Sequence, residues 1–129
     1  MTNTVFVGLA TVFVLAACGG GSDGATEPPP TAGGQPVAAA TVSLLSTSNA
    51  YGDDNSFSPS SVRLSQGGTV TWRNNSGVTH NVTFQPAAGA PDDIPNHSSG
   101  EHARTFGAPG AFAYRCTLHA GMTGVVTVE

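Results

Sequence analysis

The chain contains no lysine, and charged residues of all kinds make up only 9% of its 129 positions. Four arginines stand against eight acidic residues, which gives a formal net charge of -4 at pH 7. Because nucleic-acid-binding surfaces carry clustered lysine and arginine, this composition excludes nucleic acid as an expected partner. The acidic balance favours encounter with a basic protein instead.

Signatures of hydrolytic catalysis and of nucleotide binding are also missing. Serine is frequent, but no serine lies in a nucleophile-elbow pattern. The glycines at 19–21 belong to a linker and lack the spacing of a phosphate-binding loop. We therefore expect the chain not to be an enzyme.

No apolar run is long enough to span a bilayer comfortably, and the run at 5–17 has the length of a signal-peptide core. It ends in Leu15-Ala16-Ala17-Cys18, which resembles the lipobox of bacterial lipoproteins. The resemblance implies a signal peptide at 1–17 and a lipid on Cys18. The protein would then be exported and anchored to a membrane, facing the periplasm or the cell exterior.

Residues 18–40 are rich in glycine, proline, alanine and threonine and show no apolar periodicity. Such a composition predicts a flexible tether between the lipid and a folded domain. Two alternatives stay open at this point. The leader is an ordinary signal peptide with an incidental Cys18, or Cys18 forms a disulfide with the second cysteine, Cys116.

The remaining segment, 41–129, reads as an all-β domain. Short alternating or β-branched runs between turn signals predict strands at 41–45, 61–65, 69–73, 81–84, 101–106, 112–116 and 123–128. The stretch at 85–100, rich in proline, alanine and aspartate, is predicted as a long loop. About seven to eight short strands in one small domain predict a two-sheet β-sandwich.

Alternation within these strands also predicts the hydrophobic core. Trp72 is expected in that core and not beside a cofactor. The predicted members are Val62, Leu64, Val70, Trp72, Val82, Phe84, Phe106, Phe112, Tyr114, Val126 and Val128.

Metal-binding side chains recur near the end of the chain, where Cys116, His119 and Met122 follow one another at spacings of three. His80 supplies a second imidazole at the start of a predicted strand. Two histidines and one cysteine with a weak axial methionine are the ligand set of a blue-copper site. Zinc also accepts two histidines and a cysteine, but the methionine and the sandwich favour one copper ion that cycles between Cu(I) and Cu(II).

The segments at 68–74 with 80–82, and at 114–126, resemble the two ligand regions of the cupredoxin family. The resemblance covers roughly 41–129 and implies a Greek-key sandwich with a type 1 copper site. The ligands would be His80, Cys116, His119 and Met122. It also implies that Asn81 forms hydrogen bonds near the cysteine sulfur and that His119 lies in an apolar surface patch.

The function implied is that of a membrane-tethered electron carrier between extracytoplasmic redox partners, such as a cytochrome or a membrane oxidoreductase. A copper-binding module for storage or delivery is the alternative, because it would use the same ligands. A copper oxidase or reductase would need a second copper site. Only His97 and His102 remain to build one, and we expect both to be structural or exposed to solvent.

Overall fold

The computed structural model describes residues 34–129, which form eight β-strands and no helix. Residues 34–129 therefore contain no helix that could cross a membrane. The predicted signal peptide, the lipidation site at Cys18 and most of the predicted linker lie outside the described residues. The strands are β1 (Val37–Asn49), β2 (Gly52–Ser58), β3 (Ser61–Asn74), β4 (His80–Phe84), β5 (Ile94–His97), β6 (Gly100–Thr105), β7 (Gly110–Arg115) and β8 (Thr123–Val128).

The strands follow the hydrogen-bonded order β2-β1-β3-β8-β7-β4-β5, and β6 pairs with β3. Strand β3 is parallel to both β1 and β8, whereas the other pairs are antiparallel. The first half of β3 pairs with β8, and its second half pairs with β6. One long strand therefore belongs to both layers of the predicted all-β sandwich.

Aromatic side chains join the two layers. Trp72, in the second half of β3, meets Phe84 of β4 and Tyr114 of β7 edge to face, with ring centroids 5.7 and 5.3 Å apart. Trp72 is completely buried, as the sequence predicts, and every other predicted core residue is buried as well. Full burial of a large apolar side chain contributes about 1.5–3 kcal/mol, so each of these aromatic residues stabilises the packing of the two layers.

Several strand predictions were wrong in detail. The segments at 61–65 and 69–73, predicted as two strands, belong to the single strand β3, which continues through Gly67 and Gly68. Strand β2 was not predicted, and β5 lies inside the predicted loop at 85–100. Strand β1 begins at Val37, ahead of the predicted start at 41, because its main chain pairs with β3 from there on.

Candidate metal centre

A short loop between β7 and β8 carries three of the four predicted ligands. The backbone N–H of Cys116 donates to the carbonyl of Met122 at 3.0 Å, and the N–H of Met122 donates to the carbonyl of His119 at 3.4 Å. Gly121 lies between them with a φ of 80°, a left-handed conformation that glycine adopts without steric cost. These contacts close the loop, and within it Sγ of Cys116 lies 3.5 Å from Nδ1 of His119.

The fourth ligand position is set by the turn between β3 and β4. The buried side chain of Asn74 donates to the carbonyls of Val78 and His97, both at 2.9 Å. Its Oδ1 accepts the backbone N–H of Ser76 at 3.0 Å. With its polar atoms satisfied in this way, Asn74 organises the turn and places His80 as the first, fully buried residue of β4.

The two loops bring three donor atoms together. Nδ1 of His80 lies 3.1 Å from Nδ1 of His119, while Sγ of Cys116 lies 4.0 Å from the first and 3.5 Å from the second. The centre of this triangle is about 2.1 Å from each corner, which matches metal bonds of about 2.0–2.3 Å to nitrogen and sulfur. The separations of the three donor atoms therefore fit a single metal ion, which His80, Cys116 and His119 would hold.

The surroundings of His80 favour its neutral form, which is the form that binds a metal. Burial lowers the pKa of His80 below 6.5, and the imidazoles of His119 and His97 lower it further. A neutral imidazole offers a lone pair to a metal, whereas a protonated one does not. His80 is thus ready to bind a cation near neutral pH.

The predicted weak ligand, Met122, is also buried, with 1% of its surface exposed. Its thioether adds a soft, weak donor to a set of two imidazoles and one thiol, the combination that selects copper. By contrast, His97 and His102 contact each other, with ring centroids 4.4 Å apart. Among residues 34–129, the cluster with metal-binding geometry is formed by His80, Cys116 and His119.

Comparison with known proteins agrees with this geometry. Residues 45–129 match the family model of copper binding proteins, the plastocyanin/azurin family. The chain belongs to the cupredoxin family. Because the family binds copper and the donor triangle fits it, copper is the cofactor of this cupredoxin domain.

Individual relatives show how far the similarity extends. The chain is 37% identical to amicyanin-alpha from Methylorubrum extorquens over 76 residues, which cover 57% of this chain and 64% of the relative. It is 38% identical to a plastocyanin from Scenedesmus fuscus over 89 residues, covering 57% of this chain and 86% of the relative. A solved pseudoazurin from Methylobacterium extorquens AM1 superposes with a TM-score of 0.58 and 26% identity, covering 70% and 75% of the two chains.

Asn81 connects the two ligand loops of this cupredoxin domain. Its Oδ1 accepts the backbone N–H of Thr117 at 2.8 Å, and its Nδ2 donates to Oγ1 of Thr117 at 2.7 Å and to Oδ1 of Asn96 at 2.9 Å. Thr117 directly follows Cys116. The side chain that the family resemblance placed near the sulfur therefore fastens the cysteine loop to β4.

We expect Asn81→Ala to lower the free energy of unfolding by about 2 kcal/mol, because it leaves the Thr117 N–H without its partner in a nearly buried site. Chemical denaturation of the copper-free protein measures this loss. Asn96→Ala is the matched control, since it removes one of the three bonds from an exposed position. Equal losses in the two variants would contradict the role of Asn81 as the connection between the loops.

One contact to the site leaves no signal in the sequence. Oγ of Ser46, in β1, lies 2.9 Å from Nε2 of His80. The same hydroxyl donates to Oδ1 of Asn55 in β2 at 2.5 Å. No motif marks Ser46, because its position beside His80 depends on a hairpin formed far away in the chain, and β2 itself was not predicted.

Proposed function

We propose that this chain is a mononuclear type 1 copper protein that carries single electrons. His80, Cys116 and His119 would hold the ion, with Met122 as the weak axial ligand. Bound copper supplies reversible one-electron exchange between Cu(I) and Cu(II). The observation that carries the proposal is the donor triangle, whose three atoms already surround a point at bonding distance from each.

The surroundings of the ligands suit fast electron transfer. His80 begins a strand, Cys116 follows one, and the Asn81 contacts join their loops, so the donors sit on a stiff framework. Such a framework resists rearrangement when the charge of the site changes. His80, Cys116 and Met122 are all buried, which keeps water away from the metal position.

His119 is the ligand that reaches the surface, since it is half-buried while the other three are buried. It borders a shallow depression together with the exposed side chains of Val78 and Leu118. A partner that packs on these apolar groups would approach the imidazole edge closely. We infer that electrons enter and leave through His119.

The charge around this depression indicates a basic partner. Asp53 lines the same depression as His119, and the chain as a whole carries a net charge of -4. Complementary charge accelerates encounter and orients the partner. A basic cytochrome or a membrane oxidoreductase with a basic docking face fits these requirements.

The location of the carrier follows from the leader. We propose that a lipid on Cys18 anchors the protein outside the cytoplasmic membrane. The linker after it would act as a flexible tether between the lipid and the folded domain. The support is the pattern Leu15-Ala16-Ala17-Cys18 after an apolar run, followed by a segment rich in glycine and proline.

Repeated redox cycling in the presence of a chelator tests the proposed function. The copper-loaded chain is reduced by a basic cytochrome, reoxidised by ferricyanide, and followed by its visible absorption. We expect the same amplitude over many cycles, because a carrier retains its metal. The rate of the cytochrome step should fall as salt screens the interaction.

A progressive loss of copper to the chelator would instead support the storage or delivery module. Copper binding without intense colour would contradict the type 1 assignment. A rate of cytochrome reduction that is indifferent to salt would contradict the basic partner and leave the carrier assignment standing.

A further inference from the structure

The hairpin formed by β1 and β2 reaches the buried side of His80. Ser46 and Asn55 are directly opposed partners in this hairpin. Oγ of Ser46 lies 2.5 Å from Oδ1 of Asn55 and 2.9 Å from Nε2 of His80, which is 34 residues away along the chain. Both hairpin residues are half-buried, and His80 is completely buried.

The chemistry of these three groups gives the hydrogen bonds a direction. The amide oxygen of Asn55 can only accept, so the hydroxyl hydrogen of Ser46 points to it. The lone pairs of the same hydroxyl remain for the imidazole, so Nε2 of His80 carries the hydrogen and donates it. Nδ1 of His80 is then bare and faces Cys116 and His119.

We propose that Ser46, oriented by Asn55, is the positioning residue that sets the tautomer and ring orientation of His80 for copper. The copper part of this inference rests on the proposed function. Metal-binding histidines usually donate their second N–H to an acceptor that fixes the ring and strengthens the ligand nitrogen. Here that acceptor is a side chain of the β1–β2 hairpin.

Burial makes this acceptor necessary for His80 in particular. No part of the His80 ring is exposed in the folded chain, so Ser46 and not water accepts its N–H. Without Ser46 the donor would be left unpaired in the interior, at a cost that shifts the imidazole towards its other tautomer. That tautomer places the hydrogen on Nδ1, where the metal has to bind. His119, which is half-buried, is less dependent on a protein acceptor.

The test compares Ser46→Ala with Ser46→Thr, which keeps the hydroxyl, and with Ser48→Ala. Ser48 is a matched control, because it lies on the same strand and donates to Asp53 at 2.5 Å, away from His80. Nitrogen-15 NMR of the copper-free full chain reports the His80 tautomer. We expect the Nε2–H form in the wild type, Ser46→Thr and Ser48→Ala, and a mixture of tautomers in Ser46→Ala.

Copper affinity, measured by competition with a chelator, gives the second readout. We expect Ser46→Ala to bind copper about 10-fold to 100-fold more weakly than the wild type, whereas Ser48→Ala and Ser46→Thr bind normally. The reduction potential of Ser46→Ala should rise, because a weaker His80 donor stabilises Cu(II) less. A purely structural role for the serine would move neither the tautomer nor the potential.

Two results would overturn the inference: Ser46→Ala keeps the Nε2–H tautomer, or Ser48→Ala weakens copper binding as much as Ser46→Ala does. The tautomer measurement uses no copper. A wild-type protein that binds copper without colour would therefore refute the proposed function, while the NMR comparison would still decide the role of Ser46.

Discussion

We expect the Cys116→Ser variant, loaded with Cu(II), to lose the intense visible absorption of the wild-type chain completely. The absorption arises from charge transfer between a thiolate sulfur and copper, and serine offers only a hard hydroxyl oxygen at the same place. The fold should survive the change, since serine is nearly isosteric and the structural contact of Cys116 is its backbone N–H to Met122. Visible spectroscopy after copper loading measures the loss.

Two further variants make this result specific. Cys18→Ser removes the other cysteine of the chain and should leave the colour unchanged. Met122→Leu should retain both copper and colour and raise the reduction potential, because a weak donor that favours Cu(II) is lost. Colour in Cys116→Ser, or its loss in Cys18→Ser, would assign the charge-transfer band to a different sulfur and refute the proposed site.

The sequence predicts those parts of the site whose residues lie close together in the chain. Cys116, His119 and Met122 lie close together in the sequence, so their residue types and spacing already predict a shared metal site. His80 was assigned because a second imidazole completes the ligand set of a blue-copper site, and the structure brings its Nδ1 to within 3.1 Å of Nδ1 of His119. The contact from Ser46 could not be predicted, because it depends on how the hairpin packs.

The same distinction applies to the fold. The alternation around Val70 and Trp72 predicts a strand because one face of it is buried, and the structure confirms this burial. Strand β2 begins Gly-Asp-Asp-Asn, residues with low strand preference, and it is extended because seven of its residues pair with β1. Pairing across a sheet overrides local preference, so such strands leave little trace in their own sequence.

Strand β3 crosses between the two layers near Gly67 and Gly68, where its backbone lies very close to that of β1. In the sequence, only this pair of glycines marks the crossing. While β1 advances from Val37 to Ala39, its partner β3 advances from Leu64 to Thr69. The extra residues of β3 turn the strand from one layer into the other. At this bend a Cβ on Gly68 would lie 2.8 Å from the carbonyl oxygen of Ser65 and 2.9 Å from that of Ala38.

We expect Gly68→Ala to destabilise the copper-free domain by about 3 kcal/mol, because two backbone carbonyls and the buried side chain of Leu64 would have to move. Gly107→Ala is the matched control. It makes the same substitution at a glycine whose added Cβ meets nothing within 4 Å, so its effect should be small.

Urea denaturation, followed by the fluorescence of the single tryptophan, gives both free energies of unfolding. The copper-free form is required, since bound metal would stabilise the folded state of every variant by mass action. If the two alanine variants unfolded at the same urea concentration, β3 would cross between the layers without needing the close contact at Gly68. A glycine at position 68 would then be dispensable for the sandwich that holds the copper ligands.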